Sequence, residues 1–89
     1  MKEPFENKYP PIVNKKTIED EILTIRDVRR ISTAFGMATL YEALREKDGE
    51  VVAFTGGMVL DKQEIGKGDR IILHKHKGKM SEYWIAEKP

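Results

Sequence analysis

One dipeptide constrains the fold of this chain more than any other feature. Asp48-Gly49 lies between two β-prone runs, and an Asp-Gly pair in that setting is the strongest short-range signal for a β-hairpin. The flanking runs, Met37 to Glu46 and Glu50 to Thr55, are rich in aliphatic and aromatic residues. The sequence therefore predicts two antiparallel strands joined by a tight turn at residues 47–49.

Three further strands are predicted on either side of this hairpin. Residues 21–31 are rich in Ile, Val and Thr, and their alternation changes phase near Asp27, as in a long strand with a bulge or a strong bend. Residues 32–36 are turn-like and lead into the first strand of the hairpin. Residues 70–77 and 82–87 predict a second hairpin near the end of the chain.

The connection between the two hairpins contains Thr55-Gly56-Gly57 and then a short segment, MVLDKQEI. A phosphate-binding loop would need Gly, four residues and then Gly-Lys-Ser or Gly-Lys-Thr, which this stretch lacks. We interpret the glycines as structural, because glycine permits a positive φ or a close backbone approach. The segment after them predicts about two helical turns, which Gly66 and Gly68 terminate.

A chain of 89 residues fits a single domain with one modest core. Five strands in so short a chain are buried best when the sheet closes on itself, so we predict an all-β fold, a five-stranded Greek-key barrel with a short helical turn between strands three and four. Residues 1–16 hold three of the four prolines and predict an extended or disordered N-terminal arm. The folded domain is then expected to span residues 17–89.

Composition excludes several classes of function. The chain has no cysteine, which favours a reducing, cytoplasmic setting, and no apolar run long enough to span a bilayer, so no membrane association is expected. It lacks a nucleophile elbow and a plausible catalytic carboxylate pair, so we predict a protein that is not an enzyme and has no cofactor. His74 and His76 would share a strand face, but no third ligand is near in sequence, and we expect no metal site.

Basic residues are segregated along the chain although the net charge is only +1. Residues 70–80 contain four Lys or Arg, two His and no acidic residue. A second cluster lies where the first strand ends, and it consists of Arg26, Arg29 and Arg30. Phosphate binding at such clusters releases counterions and gives affinity without base reading. The alternative is that the lysines only keep an exposed hairpin soluble and blunt its edge.

Aromatic residues are the second requirement for binding unpaired bases, because each ring offers a stacking platform. Phe35 lies in the first turn, and Tyr41 and Phe54 lie on the paired strands, where each is either a core residue or a contact. In the last strand only one of Tyr83 and Trp84 can point inward. Because Ile85 is in phase with Tyr83, we predict that Tyr83 belongs to the core and Trp84 faces outward.

The pattern from Ile22 to Ile85 resembles an OB-fold, and more narrowly the small single-domain OB-fold proteins of phage and prokaryotic type that bind single-stranded DNA. In that group a Tyr-Gly or Phe-Gly pair opens strand two, as Phe35-Gly36 does here. A Thr-Gly-Ser or similar turn followed by Val-Leu closes strand three, and the corresponding residues are Thr55-Gly56-Gly57 and Val59-Leu60. The longer helix usual after Val-Leu is reduced here to DKQEIGKG.

The resemblance implies that the loops after strands one and four flank one groove, where the arginine and lysine clusters would meet. It thus predicts non-catalytic binding of single-stranded DNA, or RNA, in a basic groove with stacking aromatics. The expected contact residues are Arg26, Arg29, Arg30, Phe35, Tyr41, Phe54, His74, Lys75, Lys77, Lys79 and Trp84. Two alternatives stay open: a protein-assembly module whose Pro-Pro-Ile-Val arm joins a partner's sheet or a second copy of the chain, and an RNA-binding OB module.

Overall fold

The structure, a computed structural model, describes residues 10–89. These residues are all-β, with five antiparallel strands in one sheet and little helix, as the sequence predicted. The strands are β1 (Ile22–Thr33), β2 (Gly36–Arg45), β3 (Val51–Thr55), β4 (Arg70–Lys77) and β5 (Glu82–Glu87). A short helix, α1 (Met58–Lys62), connects β3 to β4, and a 3-10 turn (Lys15–Ile18) precedes β1. No helix within residues 10–89 is long and apolar enough to cross a membrane.

The long strand β1 organises the sheet, whose strand order is β3-β2-β1-β4-β5. It pairs with β2 along its whole length, whereas only Ile22 to Thr24 pair with β4. The register of β1 against β2 shifts between Ile25 and Asp27, which is the irregularity that the change of phase in the sequence predicted. Because β1 bends there, its second half leaves β4 and continues with β2 alone.

The core lies on one face of this bent sheet. Tyr41 of β2 and Phe54 of β3 are its largest members, and their rings stack with centroids 5.3 Å apart. The other fully buried large side chains are Ile18, Leu23, Ile25, Leu60 and Leu73. Residues far apart in the sequence contribute to this cluster, since the 3-10 turn supplies Ile18 and β4 supplies Leu73. Burial of such side chains is the main stabilising contribution in a domain of this size.

The sheet is open, because no pairing joins β3 to β5 among the described residues. The predicted closed barrel is therefore not formed by these strands. The outer edge of β3 is instead covered by the segment before the 3-10 turn: Ile12 forms a parallel bridge to Ala53. The Val13 N–H donates to the Ala53 carbonyl, and the Ala53 N–H donates to the Pro11 carbonyl, both over 2.8 Å.

Residues 1–9 of the predicted N-terminal arm lie outside the described part of the chain. The remaining residues of that arm contribute to the fold before residue 17, because residues 11–13 pair along β3 and the 3-10 turn buries Ile18. The Pro-Pro-Ile-Val segment thus adds to the sheet of its own chain. The Asn14 side chain caps the turn that follows by accepting from the Lys16 N–H.

A bidentate ion pair ties the start of β1 to the end of β2. Arg45 donates from Nε and Nη2 to the two carboxylate oxygens of Glu21, each over 2.9 Å. These hydrogen bonds, with the charges of Arg45 and Lys47, hold the pKa of Glu21 below its usual value despite the opposing effect of burial. The pair joins β1 to β2 at the end opposite to the turn between them.

This pair predicts a pH-dependent contribution to stability. Since the pKa of Glu21 is lower in the folded than in the unfolded chain, its stabilisation is complete above the unfolded value and is lost as pH falls through the folded value. We expect Glu21→Gln to lower the free energy of unfolding by roughly 0.5–1 kcal/mol at pH 7 and by less at pH 3, which lies below the unfolded pKa of a glutamate. Urea unfolding at both pH values measures this. Glu19→Gln is the matched control, and an equal loss at both pH values would contradict the prediction.

Candidate nucleic-acid interface

The strand register separates the two basic clusters that the sequence predicted to meet. β1 and β4 are paired only where Ile22 to Thr24 lie opposite Ile72 to Arg70. Because the strands are antiparallel, the arginines of β1 follow from this pairing in one direction and the lysines of β4 follow in the other. The pairing thus does not place the two clusters along one groove.

The arginine cluster is largely engaged by neighbouring side chains. Arg29 forms an ion pair of 2.9 Å with Glu42 and lies 3.7 Å from Asp27. Arg30 donates from Nη1 to the Thr39 hydroxyl over 2.8 Å. Arg26 is exposed at the bulge of β1. Arg29 and Arg30 therefore stabilise the outer part of the β1–β2 pair, and acidic side chains balance the charge of Arg29.

Beyond the arginines, β1 and β2 continue as a two-stranded ribbon. The first residue of β2 that pairs with β3 is Leu40, and the Thr39 carbonyl still accepts from the Gly56 N–H. Among the described residues, the ribbon from Ile31 to Ala38 is therefore paired only with itself. Phe35 lies in the turn at its tip and is fully exposed, and the neighbouring Met37 is 59% exposed. The sequence prediction that Phe35 lies in the first turn is thus correct, and the turn is two residues long, shorter than the predicted 32–36.

The hairpin of β4 and β5 carries its lysines on one face and its histidines on the other. Lys75 lies opposite Trp84, and its Nζ is 5.5 Å from the centroid of the indole ring. The same amine is 3.4 Å from a Glu82 carboxylate oxygen. Lys77 and Lys79 form no ion pair with any residue in the described range. Two cations near the end of this hairpin are therefore not held in an ion pair by any described residue, although Glu82 lies across the strands from Lys77.

On the opposite face of the hairpin, His76 and Tyr83 are neighbours across the two strands, with ring centroids 5.1 Å apart. His74, on the same face, lies between two carboxylates: its Nδ1 is 2.7 Å from Asp20 and its Nε2 is 3.0 Å from Glu87. His74 therefore links the turn before β1 to the end of β5, and its ring nitrogens are occupied by these contacts. Only His76 remains as a histidine available to a ligand.

The prediction that Tyr41 and Phe54 offer their rings to bases is wrong. Tyr41 and Phe54 are 2% and 0% exposed and stack on each other inside the core, so neither ring can receive a base. The prediction for the last strand is also wrong, because Trp84 packs against the core and Tyr83 lies with His76 on the outer face. The reason is the register: Trp84 faces Lys75, which shares the face of the buried Leu73.

A polar cluster around Asp61, which the sequence did not reveal, lies where α1 meets β2. The Tyr41 hydroxyl donates to Asp61 Oδ1 over 2.8 Å, and the Thr39 hydroxyl donates to Oδ2 over 3.2 Å. Lys15 is also near, and its Nζ donates to the Thr55 carbonyl over 2.7 Å. These contacts fix α1 against the sheet. Nothing in the motif MVLDKQ distinguishes this aspartate from a solvated one.

Burial shifts the ionisation of two members of this cluster. Burial and the hydrogen bond to Asp61 raise the pKa of Tyr41, so the phenol remains a donor at neutral pH. Burial lowers the pKa of Lys15, and the charge of Asp61 partly opposes that effect. The cluster therefore acts as a satisfied polar contact between the core and the helix. It presents no open ligand position, and no buried side-chain polar atom in the described residues lacks a hydrogen-bond partner.

Comparison of the chain with protein-family models, with curated proteins and with solved structures found no match. The described residues also contain no group of three or more His, Cys, Asp or Glu side chains arranged to hold a metal ion. The site therefore has to be judged on its own chemistry. Within residues 10–89, the β4–β5 hairpin combines unpaired lysines with two partly exposed aromatic rings.

Proposed function

We propose that this chain binds single-stranded nucleic acid without catalysis, and that the β4–β5 hairpin is the main contact surface. One observation carries the proposal: Trp84 and Tyr83 lie opposite Lys75 and His76, and Lys77 and Lys79 follow without an ion pair among the described residues. Phosphates require cations and unpaired bases require ring faces, and the hairpin supplies both within a few residues. DNA is favoured over RNA by the family resemblance alone.

The strand order supports an OB-like architecture for this function. The order β3-β2-β1-β4-β5 is that of a five-stranded OB barrel opened between β3 and β5. OB-folds are often partly open, and they bind oligonucleotides with the loops after the first and fourth strands. In this chain Lys77, at the end of β4, and Lys79, in the loop after it, form no ion pair among the described residues. The arginines and Phe35 extend away from this loop and are not required for the proposed contact.

Trp84 fluorescence provides the direct test, because the chain has a single tryptophan. Titration with oligo(dT) at low salt is expected to quench the emission, since a base that stacks near the indole perturbs its environment. Raising the salt concentration is expected to weaken binding through the loss of counterion release. An oligo(dT) titration that leaves both the emission and the sedimentation of the oligonucleotide unchanged at low salt would contradict the proposal.

Charge reversal at the end of the hairpin should abolish most of this binding. We expect Lys77→Glu with Lys79→Glu to weaken affinity at least about tenfold and to reduce the salt slope by roughly 1.4, the value for two phosphate contacts on a single strand. The matched control is Lys16→Glu with Lys67→Glu, which makes the same charge change at exposed lysines outside the hairpin. Equal losses in both pairs would indicate general electrostatic attraction instead of a site.

One observation favours the alternative class, a protein-assembly module. The ribbon of β1 and β2 projects with Phe35 fully exposed and Met37 59% exposed at its tip, and exposed apolar residues grouped in this way often mark protein contacts. The Pro-Pro-Ile-Val segment does not serve as a free arm for this purpose, because residues 11–13 are bonded to β3 of the same chain. A concentration-dependent dimer in sedimentation that Phe35→Ser abolishes would support assembly.

A further inference from the structure

Strand β5 has an open hydrogen-bonding edge over half of its length. In an antiparallel pair, alternate residues direct their N–H and C=O groups toward the partner strand and away from it. Both backbone groups of Ala86 bond outward, away from β4, so those of Trp84 and Glu82 point outward as well. No described residue bonds to these groups at Trp84 or Glu82. The edge from Glu82 to Trp84 is therefore unpaired.

At the next outward-facing residue of this edge, Ala86, a side chain takes the place of a neighbouring strand. The Gln63 carboxamide accepts from the Ala86 N–H and donates to the Ala86 C=O, each over 2.8 Å. A side-chain amide thus makes the two hydrogen bonds that one residue of a neighbouring antiparallel strand would make. The backbone of Ala86 is consequently placed and oriented for strand addition, and the two residues before it continue the same edge.

A slot lies beside the unpaired edge. It has a volume of about 260 Å³ and runs between β5 and the beginning of α1, where Met58 and Val59 line it opposite Trp84. Both α1 residues are exposed, Met58 by 77% and Val59 by 37%. The slot therefore lies along β5, the strand at the open edge of the sheet. Its walls are apolar, and its only ionisable lining groups besides Tyr83 are Lys15 and Glu82, of opposite sign.

We propose that an extended segment of another protein adds to the sheet at Glu82 to Trp84 and places one apolar side chain in the slot between Trp84 and Val59. The segment would bond through its backbone, as in other cases of strand addition, and the slot would select an apolar residue at one position. This site shares Trp84 with the proposed nucleic-acid contact, but it uses the backbone edge of β5 and not the lysines at the end of the hairpin.

The chain itself supports the choice of a strand as occupant. The opposite edge of the sheet is completed in the same manner, since residues 11–13 lie along β3 and bond to Ala53. An unpaired edge is the part of a sheet at which extended chains associate most readily. The slot is narrow and mainly apolar and has no excess of cationic side chains, so its chemistry fits a peptide better than a polyanion.

The test selects random displayed dodecapeptides on the full chain and measures the affinity of the selected, synthesised and fluorescently labelled peptides by polarisation. We expect the selected peptides to share one apolar position and to bind Glu82→Pro at least about tenfold more weakly, because proline removes the outward N–H while sparing the bonds to β4. Glu82→Ala is the matched control, since it keeps the N–H. It is expected to bind within about twofold of the unchanged chain.

Two further variants keep the test decisive if Glu82→Pro disturbs the hairpin. Val59→Glu places a charge in the slot from α1 and should remove binding, whereas Gln63→Ala frees Ala86 and should strengthen it several-fold. Peptides that bind Val59→Glu and Glu82→Pro as well as the unchanged chain would overturn the proposal. Failure to select any peptide, with oligo(dT) binding lost in Val59→Glu, would overturn it in favour of a nucleic-acid role for the slot. Lys77→Glu with Lys79→Glu should leave peptide affinity unchanged, which separates this proposal from the proposed function.

Discussion

Replacing Asp61 by alanine is expected to lower the free energy of unfolding by about 2–4 kcal/mol, although the residue lies at the surface end of a short helix. The substitution leaves the hydroxyls of Tyr41 and Thr39 without their acceptor, and these residues are only 2% and 7% exposed. Each buried group that loses its partner costs roughly 1–3 kcal/mol. The half-buried Lys15 also loses the nearby negative charge that favours its protonated form.

Thermal unfolding of the variant measures this effect. For a domain of this length, a loss of 2–4 kcal/mol corresponds to a fall in Tm of roughly 10–25 °C. A double-mutant cycle with Tyr41→Phe isolates the hydrogen bond, because removing the hydroxyl removes the group that Asp61 satisfies. We expect the double variant to be less destabilised than the sum of the single ones by about 1 kcal/mol or more. Strict additivity, or an Asp61→Ala variant as stable as the original chain, would contradict the prediction.

The elements of the fold were predictable because their signals are local. Asp48-Gly49 marks the β2–β3 hairpin, and the structure supplies the reason: Gly49 has a φ of 73°, and the Asp48 side chain accepts from the Glu50 N–H over 3.0 Å. The bulge in β1 was readable from the change of phase near Asp27. The Thr-Gly-Gly turn correctly indicated where the short helix begins.

Sheet closure was not predictable, because it depends on what fills the gap between two distant strands. The edge of β3 is taken by residues 11–13 through backbone bonds, which leave no signature in the sequence. The edge of β5 is met by the side chain of Gln63, whose role depends on the exact position of α1. A pattern of five β-prone runs therefore gave the number and the order of strands along the chain, but not their closure.

The candidate site was only partly predictable for the same reason. The lysines were found because charge segregation is a property of the sequence, and they do lie together on one hairpin. Whether the lysines lie near the arginines depends on the register of β1 against β4, which the sequence does not reveal. The observed register places the two clusters in opposite directions from the paired residues. The orientation of Trp84 could not be predicted, because β5 has only six residues and both of its faces are apolar. Tyr83 and Ile85 lie on one face, whereas Trp84 and Ala86 lie on the other, which packs against the core.

The two adjacent glycines after β3 are expected to differ sharply when each is replaced by alanine. A Cβ at Gly56 would collide with the Asp61 carboxylate and would lie 2.6 Å from Cε2 of Tyr41, whereas a Cβ at Gly57 would meet nothing within 4 Å. Tyr41 is fixed by its stack on Phe54, so the ring cannot move aside cheaply. We expect Gly56→Ala to cost about 2–3 kcal/mol of unfolding free energy.

Gly57→Ala is the internal control for this prediction. Gly57 has a φ of −133°, which any residue adopts, so alanine there should be close to neutral: the reduced entropy of the unfolded chain offsets the loss of a glycine at the N-cap of α1. Urea unfolding of both variants measures their free energies of unfolding, and similar free energies for the two would contradict the prediction. Because the carboxylate is one of the two obstacles to a Cβ at Gly56, we expect the cost of Gly56→Ala to shrink in the Asp61→Ala background. The second glycine of the pair thus serves only the turn, whereas the first is required by the contact between α1 and the core.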